Sequence, residues 1–112
     1  MKLQIGQIVN AQYVLQKLAD CNLSALGSFW IMRTIDKIKP IFQGYESERI
    51  KLVKKYGEEK VPDDKIDDYM KDLLPLLEES VEVELEAKDI QYLSGAVLTP
   101  SELRAIRFML IE

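Results

Sequence analysis

No histidine occurs anywhere in this chain of 112 residues. That absence removes Ser–His and Cys–His nucleophile pairs, an imidazole general base, and histidine-ligated zinc or haem. Chemistry would have to rest on carboxylates, lysine or tyrosine alone. Cysteine is almost as scarce. The single Cys21 closes no internal disulfide and lacks the companions of a metal site, so on a helical stretch it reads as half-buried filler. The five glycines are scattered singly, and no phosphate-cradling loop can be drawn from them. No apolar run approaches the ~20 residues that cross a bilayer. The opening Met1-Lys2-Leu3-Gln4-Ile5-Gly6 is too short and too polar for a signal peptide. The expectation is a cytoplasmic, non-enzymatic protein with no cofactor, no metal and no membrane partner.

What is present is an ordinary globular composition, 47% hydrophobic, with apolar residues spread along the whole length. One domain covering residues 1–112 follows. The net charge of −4 conceals a strong asymmetry. Residues 1–56 carry nine basic and four acidic side chains, a balance of +5, whereas residues 57–89 carry four basic and thirteen acidic ones, a balance of −9. Phosphate affinity needs clustered cations, so nucleic acid is not an expected partner. The two halves either neutralise each other inside the fold or present a charged face to a protein partner.

Leu3 and Ile5 alternate with polar residues and predict a short strand over residues 2–5. Ile8, Ala11, Leu15 and Leu18 then recur at intervals of three and four, which lays one apolar stripe on a helix from Val9 to Asp20. The longest pattern follows. Ile31, Ile35, Ile38, Phe42, Tyr45, Arg49, Leu52 and Tyr56 alternate spacings of four and three, a heptad seam with one arginine in it. It predicts a helix from Ser24 to Tyr56, kinked or split near Pro40, with Gly57 in the left-handed stop position. A polar turn leads to a third helix over residues 64–79, capped by Asp63 or Asp64 and seamed by Ile66, Met70, Leu73 and Leu77. Two seamed helices across a short turn predict an antiparallel hairpin. Strict alternation in Val81-Glu82-Val83-Glu84-Leu85-Glu86 predicts a strand that pairs with the first one, joined or backed by Ile90, Tyr92 and Leu93. Thr99-Pro100-Ser101-Glu102 is a capping box with proline in the first turn, opening a last helix that carries Leu103, Ile106, Phe108, Met109, Leu110 and Ile111. The fold class expected is mainly α (α+β): a kinked antiparallel helical hairpin, a small two- or three-stranded β-sheet and a C-terminal helix.

Candidate sites are few. Asp63, Asp64, Asp67, Asp68 and Asp72 form the one plausible chemical constellation. Asp64, Asp68 and Asp72 are spaced for a divalent cation, yet Lys65 and Lys71 dilute them and a solvated helix face is the better reading. Glu82, Glu84 and Glu86 make an acidic ladder, either a wet edge that resists aggregation or a docking face for a basic partner. Arg49 calls for a carboxylate partner on the third helix. Phe29 and Trp30 beside Ile31 are too apolar for a single-faced helix, so Trp30 is either core or an interface anchor. Phe108 and Ile111 make the last helix apolar on more than one side, as if sandwiched or shared with another chain.

Several of these segments together resemble a family of small, functionally uncharacterised proteins encoded by tailed phages and prophages. The resemblance rests on Ile8-Val9-Asn10-Ala11 with Leu15-Gln16-Lys17-Leu18-Ala19, on Tyr45-Glu46-Ser47-Glu48-Arg49 with Leu52 and Lys55-Tyr56-Gly57, on Val81-Glu82-Val83-Glu84-Leu85, and on Leu98-Thr99-Pro100-Ser101-Glu102-Leu103. It spans nearly the whole chain through short motifs. The 57–65 turn is more compact than the resemblance would imply. What it implies is residence in the host bacterial cytoplasm or in the virion, and no catalytic residues. The expected function is an oligomeric structural or assembly component, a homo-oligomer bound to itself or to a host protein. The alternative is an inhibitor or modulator that binds a host or defence protein through its acidic surface.

Overall fold

The computed structural model describes residues 1–111. Strand β1 (Lys2–Gln4) runs directly into helix α1 (Ile5–Ala19), and α2 (Ala25–Tyr56) is the long element of the molecule. A 3-10 turn (Asp63–Lys65) precedes α3 (Ile66–Glu78), which is followed by β2 (Ser80–Glu82). The chain ends with β3 (Lys88–Asp89), a 3-10 turn (Ile90–Leu93), α4 (Pro100–Ala105), another 3-10 turn (Arg107–Met109) and β4 (Leu110–Ile111). Helices dominate, with β1 and β2 antiparallel and a two-residue parallel pair, β3 and β4, as a second small sheet.

The first strand pairs with the 81–86 segment as expected, in a register that sets Leu3 opposite Val81 with Leu3 buried on the core side, but it ends at Gln4 and Ile5 already belongs to the helix. Helix α1 starts four residues earlier than expected. Gly6 sits in the first turn, where backbone donors have no helical partner anyway and a weak helix former costs little. The Gln7 side chain caps that turn, its Oε1 accepting from the Gln4 N–H at 2.9 Å. Ile8, Ala11, Leu15 and Leu18 are at most 1% exposed, so the predicted stripe is the one buried.

Helix α2 is one uninterrupted helix of 32 residues. Ser24 caps it, its hydroxyl accepting from Gly27 N–H at 3.2 Å. All eight seam residues from Ile31 to Tyr56 are buried or half-buried. Pro40 does not split the helix: it lies on the exposed side, where the carbonyl that loses its helical donor is open to solvent rather than buried. Pro75 likewise leaves α3 continuous. Gly57 ends α2 in an extended conformation (φ −165°), not a left-handed one. Its requirement for glycine is steric, because a Cβ there would stand 2.1 Å from the Lys60 carbonyl oxygen.

The main core is formed by α1 against α2. Ile8, Leu15 and Leu18 meet Trp30, Ile31 and Ile38, and Val83, Leu93, Ile106 and Met109 close the other side. Each such side chain contributes roughly 1.5–3 kcal/mol of burial before conformational entropy is subtracted. The α2–α3 hairpin exists but is a smaller, second cluster of Ile5, Tyr45 and Leu73. Its seam is rotated from the one predicted. Tyr69, Asp72, Leu73, Leu76 and Leu77 face inward, while Ile66 and Met70 face out. Neither Asp63 nor Asp64 caps α3, which is entered at Lys65 without a side-chain cap.

The C-terminal region departs furthest from expectation. The capping box forms, Thr99 accepting from Glu102 N–H at 3.2 Å and Glu102 accepting from Thr99 N–H at 2.9 Å. The helix nevertheless stops at Ala105, and the chain turns so that Leu110 and Ile111 lie beside Lys88 and Asp89. The turn buries Ile106 and Met109 completely, which explains why this segment is apolar on more than one side. The 81–86 strand is also shorter than predicted: its pairing with the first strand ends at Val83, which exchanges hydrogen bonds with Met1 at 2.8 and 2.9 Å, although inward Val81, Val83 and Leu85 still alternate with outward glutamates.

Among the described residues one buried side-chain polar atom has no partner: the Gln12 Oε1 on α1, in a side chain only 8% exposed. An orphaned buried acceptor costs about 1–3 kcal/mol. Gln12→Met, of similar shape, is therefore expected to stabilise the fold by about 1 kcal/mol, read as a higher urea midpoint with an unchanged m-value.

Candidate interaction surfaces

The first half of α2 and the extended segment after β2 enclose a groove of about 400 Å³. Periodicity places its walls. Leu26, Phe29, Arg33 and Lys37 follow one another at three- and four-residue spacing along α2, and the outward positions of the 84–88 segment face them. Leu85 and Tyr92 complete its apolar lining. Trp30 is 5% exposed, its indole N–H donates to the Glu86 carbonyl at 2.9 Å, and its ring meets Tyr92 edge-on with centroids 5.7 Å apart. Trp30 is thus a core residue that supports the groove from beneath. Phe29, 56% exposed, is the part of that pair open to solvent, with the Arg33 guanidinium 5.8 Å from its ring centre.

The acidic ladder does not stand alone. Glu82 faces the Met1 amino group at 3.3 Å, Glu84 faces Lys37 at 3.8 Å, and Glu86 lies 3.4 Å from Lys88 and 4.0 Å from Arg33. Such exposed pairs contribute at most about 1 kcal/mol each, but they cancel much of the field the ladder would project. Phe29, Trp30, Glu84 and Glu86 therefore share one groove, Glu82 lies beyond it, and the other two predicted contacts are elsewhere. Phe108 is half-buried against the main core and Ile111 is exposed on β4. Leu26, Arg33, Lys37 and Tyr92 were not among the predicted contacts, although the 26–29–33–37 spacing carried the signal for three of them.

A second uncovered face lies on α3. Ile66, Met70 and Leu74, one turn apart, are 42%, 43% and 48% exposed. The sequence does not separate this ridge from the buried seam, because two overlapping stripes both satisfy three-and-four spacing. Which one packs is decided by where Tyr45 and Phe42 of α2 present their rings.

Arg49 pairs within its own helix. It holds Glu46 through two hydrogen bonds of 3.0 Å, where a partner on α3 was expected, and α3 supplies only the Tyr69 hydroxyl. The Arg49 guanidinium holds the Glu46 carboxyl below the usual range. Asp72 is the carboxylate that bridges the hairpin, accepting from the Tyr56 hydroxyl and from Lys55 Nζ, the latter at 3.0 Å. Those two donors, the tyrosine first, also lower its pKa. Glu102 is lowered by the Thr99 backbone N–H and then by Lys17, which ties α4 to α1 at 3.0 Å. All three carboxylates are depressed in the folded state. Their stabilisation is complete above the unfolded-chain value of about 4 and is lost as pH falls through the lower folded values. Asp72→Asn is expected to flatten the acid limb of a stability–pH curve while leaving Tm near pH 10 lower than wild type, because the Lys55 and Tyr56 partners lose a charge acceptor.

Among the described residues no group of three or more acidic or sulfur side chains is disposed to hold a metal ion, and no helix is long and apolar enough to cross a membrane. The molecule is a mainly helical α+β domain whose distinctive surfaces are a mixed-charge groove and an apolar ridge. Comparison of the chain with protein families, with curated proteins and with solved structures finds no match.

Proposed function

We propose that this protein is a non-enzymatic, phage-encoded structural or assembly component that works by associating with copies of itself. The observation that carries the reading is the pair of uncovered apolar faces, Leu26 with Phe29 on α2 and Ile66, Met70 and Leu74 on α3. Scattered exposed apolar residues are ordinary. Rows of them at helical spacing with charged rims are the pattern of association surfaces. The phage origin comes from the sequence resemblance.

Light scattering across micromolar concentrations tests self-association, the expected result being a mass above that of the 12.9 kDa monomer. Mass spectrometry of purified virions tests the structural role. A strict monomer that is missing from particles would overturn the proposal. The alternative, a modulator that docks on a host protein through Glu82, Glu84 and Glu86, draws on their exposure along one edge. It is weakened by the four cations that already face them. Reversing the three charges should abolish capture of a basic host partner if that reading holds.

A further inference from the structure

We infer that the occupant of the α2 groove is the α3 ridge of a second copy of this chain, docked head to tail. The inference deepens the self-association proposed above and rests on it. Three observations join.

The first is size. The groove wall from Leu26 to Lys37 covers about 17 Å of helix axis, and the ridge from Ile66 to Leu74 covers about 12 Å, so the ridge fits the groove lengthwise. The second is charge. The open flank of the ridge is acidic: Asp67 and Glu78 lie beside it against Lys71, and residues 57–79 as a whole hold nine acidic and three basic side chains. The α2 wall that would receive it presents Arg33 and Lys37. Their present carboxylate neighbours, Glu86 and Glu84, stand 4.0 and 3.8 Å away and form no hydrogen bond with them, so an incoming aspartate competes on even terms. The third is placement. Helix α2 at 32 residues runs the length of a molecule 47 Å long. The groove borders its first half, and α3 packs on its second half through Tyr45, Tyr56 and Lys55. Two complementary faces on different halves of one rod cannot satisfy each other within a copy. They join successive copies heterologously, giving a ring if the rotation closes and a filament if it does not.

Crossed variants test the arrangement. Phe29→Glu blocks the groove and Met70→Glu blocks the ridge. Both residues are exposed, and Leu26→Glu and Leu74→Glu serve as second variants should either change the circular dichroism spectrum. Each single variant is expected to sediment as a monomer, with self-association weakened by roughly tenfold or more. An equimolar mixture of a groove variant and a ridge variant retains one intact groove and one intact ridge, so it should form a 1:1 dimer and stop. That dimer should weaken as salt rises. Wild-type self-association that survives Phe29→Glu and Leu26→Glu overturns the groove assignment while leaving self-association standing. Single variants that stay monomeric and fail to dimerise on mixing overturn the head-to-tail geometry in favour of a symmetric contact. A wild-type chain that is monomeric throughout overturns the self-association reading itself, and this inference with it.

Discussion

Replacing Gly27 with alanine is expected to destabilise the protein by about 3 kcal/mol, the upper range for forcing atoms into a packed site. On this chain length that is a fall in Tm of roughly 12 °C. A Cβ at this position would lie 2.1 Å from the Tyr92 carbonyl oxygen. Backbone, not a flexible side-chain end, is the obstacle, so rotamer changes cannot relieve it. Either α2 lifts off the Ile90–Leu93 turn or that turn detaches, and both uncover Trp30 and Leu93. Gly44 is the internal control, since a Cβ there meets nothing within 4 Å. Gly44→Ala should stabilise by up to about 1 kcal/mol, because alanine is the better helix former. Thermal unfolding of the two variants side by side decides the matter. Equal melting temperatures would show that α2 does not approach the 90–93 turn as described.

The second large effect separates two adjacent aromatics. Trp30→Ala should cost about 3–5 kcal/mol, the range for deleting a buried large aromatic, and it also leaves the Glu86 carbonyl without its indole donor. Phe29→Ala removes a ring that is more than half exposed, so its effect on stability should stay within about 0.5 kcal/mol. The order reverses for association: Phe29→Ala should weaken it measurably while the fold is intact. Chemical denaturation and sedimentation on the same two proteins would show both halves of the contrast. If Phe29→Ala proved the more destabilising of the two, the burial of Trp30 and the exposure of Phe29 would be misassigned.

That contrast marks the boundary of what the sequence discloses. The stripe Ile8–Ala11–Leu15–Leu18 and the seam from Ile31 to Tyr56 were legible because each has one register at helical period, and the capping box at Thr99 because its signal is local. The Leu3 strand was legible from alternation and its pairing with the 81–86 segment from a lone strand's need of a partner, but the register that sets Leu3 opposite Val81 was not. The rest depends on contacts between distant segments. Lys88–Asp89 pairs with Leu110–Ile111 over two residues, too short to leave any periodic mark, and this pairing ends the last helix at Ala105 without a proline or glycine to announce it. Arg49 chose Glu46 one turn away because a neighbour on its own helix reaches it without ordering a second element. On α3, two apolar stripes of similar quality overlap, and only the shape of α2 selects between them. The groove was half visible: Phe29, Glu84 and Glu86 were singled out, but nothing local says that residues more than fifty positions apart face one another across a shared cleft.

Pro40 lies between the groove-bearing and hairpin-bearing halves of α2. Having no N–H, it leaves the Asp36 carbonyl without its helical donor at the midpoint of the rod. With one rung of its hydrogen-bond ladder missing there, the midpoint is where bending this rod costs least. In an array of linked subunits, small angular adjustments at that midpoint would set the bend radius of the whole array, so Pro40→Ala should stiffen it without touching either contact.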